Sequence, residues 1–283
     1  MHLLCSGQGA PSIILEVGLA AYSIDYTLVQ RELEKSHRVC AYDRAGSGWS
    51  DRLPGETLST NARDLHALLA AAKEPAPYVL VGAARGGLLI RGYLAAYPDE
   101  VSGLVFIDPD TEDRMFAGVD GKPVVVAEMT AEQFKATLPK VTVRIPRREV
   151  QQGPPFTALP PELYRQRLIL DERFIAALPQ TLTPQRLEAL QEHERQSLAA
   201  LLETRKAGTP FGNRPTIILS RGDQRDARAE AAHKALAGLS TNSRHMVIDG
   251  AGHEIHLLHP RAVVNAVNDV VEAVVKKTQL RPE

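Results

Sequence analysis

Residues 78–93 read YVLVGAARGGLLIRGY, and this segment decides how the chain folds. Its apolar start predicts a buried strand, and the apolar residues after Gly87 recur at helical spacing. Gly82 and Gly86 stand two residues on either side of Ala84, which predicts a sharp turn where larger side chains would collide. A strand that runs directly into a helix favours a parallel sheet covered by helices.

The alternation of strands and helices continues outside this segment. Helices with apolar residues every 3.6 positions lie between several of the strands, and Pro260 begins the last helix. The pattern predicts an α/β fold with a mostly parallel central sheet and helices on both faces. The predicted strands cover residues 2–5, 12–16, 38–42, 78–81, 104–107, 216–219 and 245–248.

Residues 109–212 interrupt this alternation, because they contain no convincing buried strand. A stretch of about a hundred residues is much longer than an ordinary connection, so it predicts a separate structural unit. We expect an inserted helical cap, with residues 1–108 and 213–283 forming the core. The helical patterns of the insertion fall at 131–137, 161–170, 172–178 and 184–206.

Composition restricts the functional classes. The 283 residues are 44% hydrophobic and 24% charged, as in ordinary globular proteins that fold without a metal. The net charge of −1 provides no field for nucleic acid or anionic membranes, and no apolar run approaches the roughly 18 residues of a membrane span. We expect a cytoplasmic protein, or a secreted or periplasmic one if a leader has been removed. The oligomeric state is left open.

The turn at Ala84 matches the nucleophile elbow G-x-S-x-G, with alanine in the serine position. His253 follows the last predicted strand at the carboxyl edge of the sheet, where a general base belongs. The strand at 216–219 is followed by two acids, and one of them would orient the imidazole of His253. We expect Asp226 in this role, with Asp223 as the alternative.

Two further groups of residues are expected at the site. The backbone N–H groups of Leu19 and Arg85 would form an oxyanion hole for the reacting carbonyl. Substrate contacts are expected across a largely apolar cleft. The residues expected to make them are Gly18 in the core and Phe156, Leu159, Leu163 and Tyr164 in the cap.

Together these segments resemble the α/β-hydrolase superfamily, in its serine esterase and lipase-like branch with a cap domain. Residues 43–50, DRAGSGWS, are similar to its D-R-x-G-x-G-x-S loop, and residues 81–87 and 250–253 are similar to its elbow and its histidine segment. In this superfamily the strands that hold Cys5 and Cys40 are neighbours, so the resemblance implies that the two thiols lie close. The departures are Ala84 for serine, and Ala83 beside it where histidine is common.

Ala84 allows three interpretations: a serine hydrolase whose nucleophile has been removed, a natural ligand-binding relative, or a dehalogenase or epoxide hydrolase that lost an aspartate. The first is favoured, because His253 and a nearby acid are present. In this superfamily dehalogenases commonly hold the halide with cap or core tryptophans, and the single tryptophan of this chain, Trp49, lies outside the cap. Its epoxide hydrolases usually protonate the oxygen with two cap tyrosines, and Tyr164 is the only tyrosine in residues 109–212. We therefore predict an enzyme of the ester-hydrolase class that acts through an acyl-enzyme and is nearly inactive with Ala84. Its expected partner is a small ester, and no cofactor or metal is expected.

Overall fold

A seven-stranded sheet runs through the centre of the molecule, in the order β1-β3-β2-β4-β5-β8-β9. The computed structural model describes residues 1–51, 58–113, 115–117, 123–137, 149–181, 183–223 and 227–281. Only the β1–β3 pair of this sheet is antiparallel, and β6 and β7 form a separate hairpin. The strands are β1 (Leu3–Ser6), β2 (Ser12–Glu16), β3 (Val39–Tyr42), β4 (Tyr78–Ala83), β5 (Val101–Ile107), β6 (Met115–Ala117), β7 (Pro123–Val125), β8 (Thr216–Arg221) and β9 (Ser243–Ile248).

The helices of the core cover both faces of this sheet, and three helices lie in the insertion. No helix within the described ranges is both long and apolar enough to cross a membrane. The helices are α1 (Thr27–Leu33), α2 (Leu58–Ala71), α3 (Arg85–Ala96), α4 (Ala131–Thr137), α5 (Pro161–Thr181), α6 (Pro184–Lys206), α7 (Ala227–Ala237), α8 (Ile255–Leu258) and α9 (Pro260–Lys276).

The predicted mostly parallel sheet is confirmed, and each predicted strand is present to within a few residues. The insertion differs from the sequence-based picture in two respects. It contains the short β6–β7 hairpin, which is too brief to leave an alternating pattern. The helices predicted at 161–170 and 172–178 form the single helix α5, because Asp171 accepts a hydrogen bond from Arg167 one turn earlier and does not interrupt the helix.

Alternate residues of each strand enter two separate cores, as the pleat of a sheet requires. On one face Ile13 and Val79 pack against α1 and the valines of α9, and on the other face Ile14 and Leu80 pack against α2 and α3. A third cluster joins the insertion to the core: Leu88 and other residues of α3 pack against α6 and the turn at 126–128. The helix that follows the elbow is therefore a support for the insertion.

The sulfurs of Cys5 and Cys40 form a disulfide across the antiparallel β1–β3 pair, where the two residues are opposite each other. The close approach expected from the resemblance is thus present. Cytosolic proteins rarely keep such bonds, because the reducing systems of the cell hold their thiols reduced. The expected compartment stays a prediction.

We expect reduction of this disulfide to lower the free energy of unfolding by about 2–4 kcal/mol, because the bond closes a loop between residues 35 positions apart. Urea unfolding with and without dithiothreitol measures the change. The double variant Cys5→Ser, Cys40→Ser is the control, since its stability should not respond to the reductant. Equal unfolding midpoints for the oxidised and reduced chain would show that the bond does not constrain the unfolded state.

Candidate active site

Ala84 occupies a strained turn between β4 and α3. Its backbone angles are φ 48° and ψ −120°, a region that residues other than glycine rarely adopt. The neighbouring glycines are required sterically, because a Cβ on Gly82 would lie 2.6 Å from the carbonyl oxygen of Gly86. A Cβ on Gly86 would lie equally close to the carbonyl oxygen of Glu16. This geometry presents the side chain at position 84 above the sheet, as a nucleophile elbow does.

Two backbone N–H groups face the same space as Ala84. Arg85 is the first residue of α3, so its N–H has no acceptor within the helix. Leu19 follows β2, and no described residue accepts a hydrogen bond from the N–H of either residue. Both residues border the cavity at Ala84 together with Gly18. Their role as oxyanion donors stays a prediction.

A buried arginine holds the loop that carries Leu19. Nη1 of Arg44 donates to the carbonyl of Val17 at 2.8 Å, and Nη2 donates to the carbonyl of Gly18 at the same distance. Nη1 also contacts the carboxylate of Glu16, which balances the buried charge. Arg44 of the segment 43–50 therefore positions the loop that carries Leu19. The glycines of this segment alone did not indicate that role.

His253 is hydrogen-bonded to Asp108. Its Nδ1–H donates to Oδ2 of Asp108 at 2.6 Å, and the other carboxylate oxygen accepts the backbone N–H of Arg221. The bond to Asp108 raises the pKa of His253 against the opposing effect of burial. Because the carboxylate can only accept, the neutral imidazole carries its proton on Nδ1 and keeps Nε2 as the basic atom.

The structure places Asp108 against His253, and the expected role of Asp226 or Asp223 stays a prediction. Asp223 receives two hydrogen bonds from the guanidinium of Arg221, at 2.8 and 3.0 Å, and is held as part of that ion pair. Asp226 lies outside the described residues. Nδ1 of His253 has a single proton, and Asp108, directly after β5, accepts it.

Sequence reasoning missed Asp108 although a signal was available. Asp108 directly follows a buried strand, as the expected acids do. In a parallel sheet all such positions meet at one edge, and β5 lies between β4 and β8. β5 and β8 are neighbours in the sheet, although β6 and β7 separate them along the chain.

The cavity at Ala84 has a volume of about 210 Å³, and residues of both the core and the insertion line it. Phe156, Gln151 and Arg167 of the insertion border it, opposite Ala84 and His253. The expected apolar cleft is not what the structure shows, because most of the side chains that reach the cavity are polar or charged. Those are Asp25, Arg85, Asp110, Gln151, Arg167, His253, Glu254 and His256.

Of the expected substrate contacts, Gly18 and Phe156 border the cavity. Leu159, Leu163 and Tyr164 lie behind Phe156, where they pack with Leu257. The hydroxyl of Tyr164 accepts the backbone N–H of Gly153 at 2.9 Å, which ties the turn before α5 to that helix. These three residues support the wall and do not line it.

A second cavity of about 440 Å³ lies on the Asp108 side of His253, bordered by β8 and α7. It is larger, but Ala84, Leu19 and Arg85 do not border it. Of the two cavities, the smaller one is bordered by His253 together with Ala84, Leu19 and Arg85.

A charged cluster closes the inner end of the Ala84 cavity. Arg167 of α5 is fully buried and donates to Asp25 at 3.0 Å and to Asp171 at 2.8 Å. Its guanidinium carbon lies 3.3 Å from the ring centroid of Phe156. Tyr22 completes the cluster, since its hydroxyl donates to Asp171. The insertion is thus fixed to the core through buried ion pairs beside the site.

Burial raises the pKa of Asp25 to about 6, although the Arg167 guanidinium lowers it in part. Because this pKa is higher in the folded chain than the usual value near 3.8, protonation of Asp25 stabilises the fold. That contribution is complete below about pH 4 and is lost as the pH rises through about 6.

We expect Arg167→Met to lower the free energy of unfolding by about 3–5 kcal/mol at pH 8, because it leaves the buried carboxylates of Asp25 and Asp171 without the cation that balances their charge. The loss should be smaller at pH 5, since Asp25 then takes up a proton. Urea unfolding at both pH values measures the effect. Arg173→Met, an exposed change on the same helix, is the control and should have little effect. A loss independent of pH would contradict the electrostatic origin.

Known proteins share this architecture. A family model described as the alpha/beta hydrolase fold matches residues 11–260. The thermophilic esterase of Thermogutta terrifontis is similar in structure, with a TM-score of 0.62 and 21% identity over 96% of this chain and 93% of that one.

Two curated relatives match over part of their length. The chain spans 16% of the length of the probable transporter efuK of Hormonema carpetanum, with 34% identity over 37% of this chain. It is 29% identical to the pimeloyl-[acyl-carrier protein] methyl ester esterase of Shewanella sp. (strain MR-7), over 51% of this chain and 52% of that protein.

Proposed function

Because the chain belongs to the α/β-hydrolase fold family, we propose that its site is built to hydrolyse carboxylic esters through a serine at position 84. With Ala84 in that position, the chain binds such esters and turns them over poorly. One observation carries this proposal: the Asp108–His253 pair is intact at a cavity that also contains Ala84 and the two oxyanion donors.

The parent reaction follows from these positions. A serine hydroxyl at 84 attacks the ester carbonyl while Nε2 of His253 takes its proton, and Asp108 stabilises the imidazolium that forms. The N–H groups of Leu19 and Arg85 stabilise the negative carbonyl oxygen. The alcohol leaves with the proton held by His253. Water, deprotonated by the same histidine, then cleaves the acyl-enzyme and restores the serine.

With Ala84 the covalent step is absent but the other groups remain. His253 can still deprotonate a water, and the oxyanion donors can still stabilise charge on the carbonyl oxygen. Enzymes that lose a member of the triad typically keep rates roughly 10³–10⁴ above the uncatalysed reaction. We therefore propose weak residual hydrolysis for the chain as it stands.

The competing functions receive less support from the site. Trp49, the only tryptophan of the chain, packs near Arg173 and does not border the Ala84 cavity, so it cannot hold a halide there. Tyr164 is engaged with Gly153 and does not border the cavity either, which disfavours epoxide opening by a cap tyrosine. The substitution Ala84→Ser, assayed with p-nitrophenyl acetate, separates the ester hydrolase from a ligand-binding relative.

A further inference from the structure

The inner wall of the Ala84 cavity contains a histidine that the proposed reaction does not use. His256 lies on α8, is 7% exposed and borders the cavity beside Asp25 and Arg167. Its ring packs on Tyr26, with the centroids 5.0 Å apart. The imidazole is therefore held in one orientation against the substrate space.

The two nitrogens of this ring have different surroundings. Nδ1 of His256 is buried and has no hydrogen-bond partner among the described residues. Burial lowers the pKa of His256 to about 3, so the ring is neutral and carries one N–H. A buried N–H without an acceptor is rarer than an unpaired acceptor, which places the proton on Nε2. Nε2 is not among the buried unpaired atoms, so it is the nitrogen through which His256 can reach the cavity it borders.

The charges around His256 determine which ligand group fits. The guanidinium of Arg167 is already balanced by Asp25 and Asp171, and that of Arg85 is paired with Glu194 at 2.9 Å. Glu254 and Asp110 also border the cavity. An additional carboxylate would meet this acidic surplus without an uncompensated cation. A neutral oxygen can accept the hydrogen bond of His256 without that repulsion.

We propose that His256 is a specificity-determining residue, whose Nε2–H donates to a neutral ether or carbonyl oxygen in the part of the substrate remote from the reacting ester. The inference rests on the proposed function only in taking the Ala84 cavity as the substrate site. A volume of about 210 Å³ lies below the 300–1,000 Å³ typical of sites for drug-sized ligands, so the substrate is compact.

Binding of two matched esters to the unchanged chain tests the proposal without turnover. Methyl 3-methoxypropanoate and methyl pentanoate differ by one oxygen in place of one methylene. We expect the ratio of their dissociation constants, measured by NMR titration, to shift toward methyl pentanoate by about three- to tenfold in His256→Phe. Phenylalanine keeps the ring that packs on Tyr26 and removes only the donor. His259→Phe, a nearby histidine outside the cavity, is the matched control and should leave the ratio unchanged.

A second measurement uses the unchanged chain alone and does not depend on how the variant folds. The methoxy ester should shift the Nε2 nitrogen resonance of His256, and methyl pentanoate should not. An unchanged ratio in His256→Phe, or equal resonance shifts with both esters, would overturn the assignment and indicate that water occupies this position. Either result leaves the Ala84→Ser test intact, because that test measures turnover of an ester without the remote oxygen.

Discussion

Ala84→Ser is expected to raise the turnover of p-nitrophenyl acetate by about 10³-fold or more, because the general base and the oxyanion donors are already in position. The turn tolerates the change, since serine adds one oxygen to a Cβ that already borders the cavity. Burst kinetics under pre-steady-state conditions should show release of one nitrophenol per site before steady turnover, as an acyl-enzyme requires.

The controls for this gain are adjacent to the site. Ala83→Ser places the same hydroxyl one residue earlier, at the end of β4, and should add no activity. His253→Ala in the serine form should remove nearly the whole gain, since the two residues act as one unit.

Ala84→Asp should open epoxides or release halide only if the ancestral nucleophile was aspartate. A serine variant that folds and binds esters without hydrolysing them would indicate a ligand-binding protein.

Asp108→Asn in the serine form should lower kcat by about 10³–10⁴, because the amide cannot hold the tautomer or stabilise the imidazolium of His253. Asp223→Asn is the matched control at the end of the neighbouring strand, and it should leave most of the activity. The reverse result, with Asp223→Asn more damaging than Asp108→Asn, would return the acid to the segment after β8.

The pKa of His253 provides a test that needs no activity. Its hydrogen bond to Asp108 raises this pKa, and burial opposes the increase. Asp108→Asn removes the favourable interaction and leaves the burial, so the pKa should fall. NMR titration of the His253 ring in the unchanged chain and in Asp108→Asn measures the change. A constant pKa would show that Asp108 is not the partner in solution.

The sequence was sufficient for the core of the fold because strand burial and helix periodicity are local properties. The segment 78–93 predicted a strand, a turn at Ala84 and a helix, and all three are present. The hairpin of the insertion was missed, since strands of three residues are too short for an alternating pattern. The continuous helix α5 was divided at Asp171 because an ion pair to Arg167 is invisible in propensity alone.

The site was predictable only in part, because it depends on which strand ends are neighbours. Position 84 and His253 were identified from the turns that hold them. The partner acid was not, since sequence order does not say whether β5 or β8 lets a carboxylate reach His253. The polar inner wall was missed for a similar reason: Asp25 and Arg167 are 142 residues apart and meet only when the insertion packs on the core.

The end of β8 supports the His253–Asp108 pair without carrying its acid. The backbone N–H of Arg221 donates to one carboxylate oxygen of Asp108. The N–H groups of Gly222 and Asp223 donate to the carbonyl of Ala251, two residues before His253. The backbone after β8 therefore helps to fix both members of the pair, whichever side chains it carries.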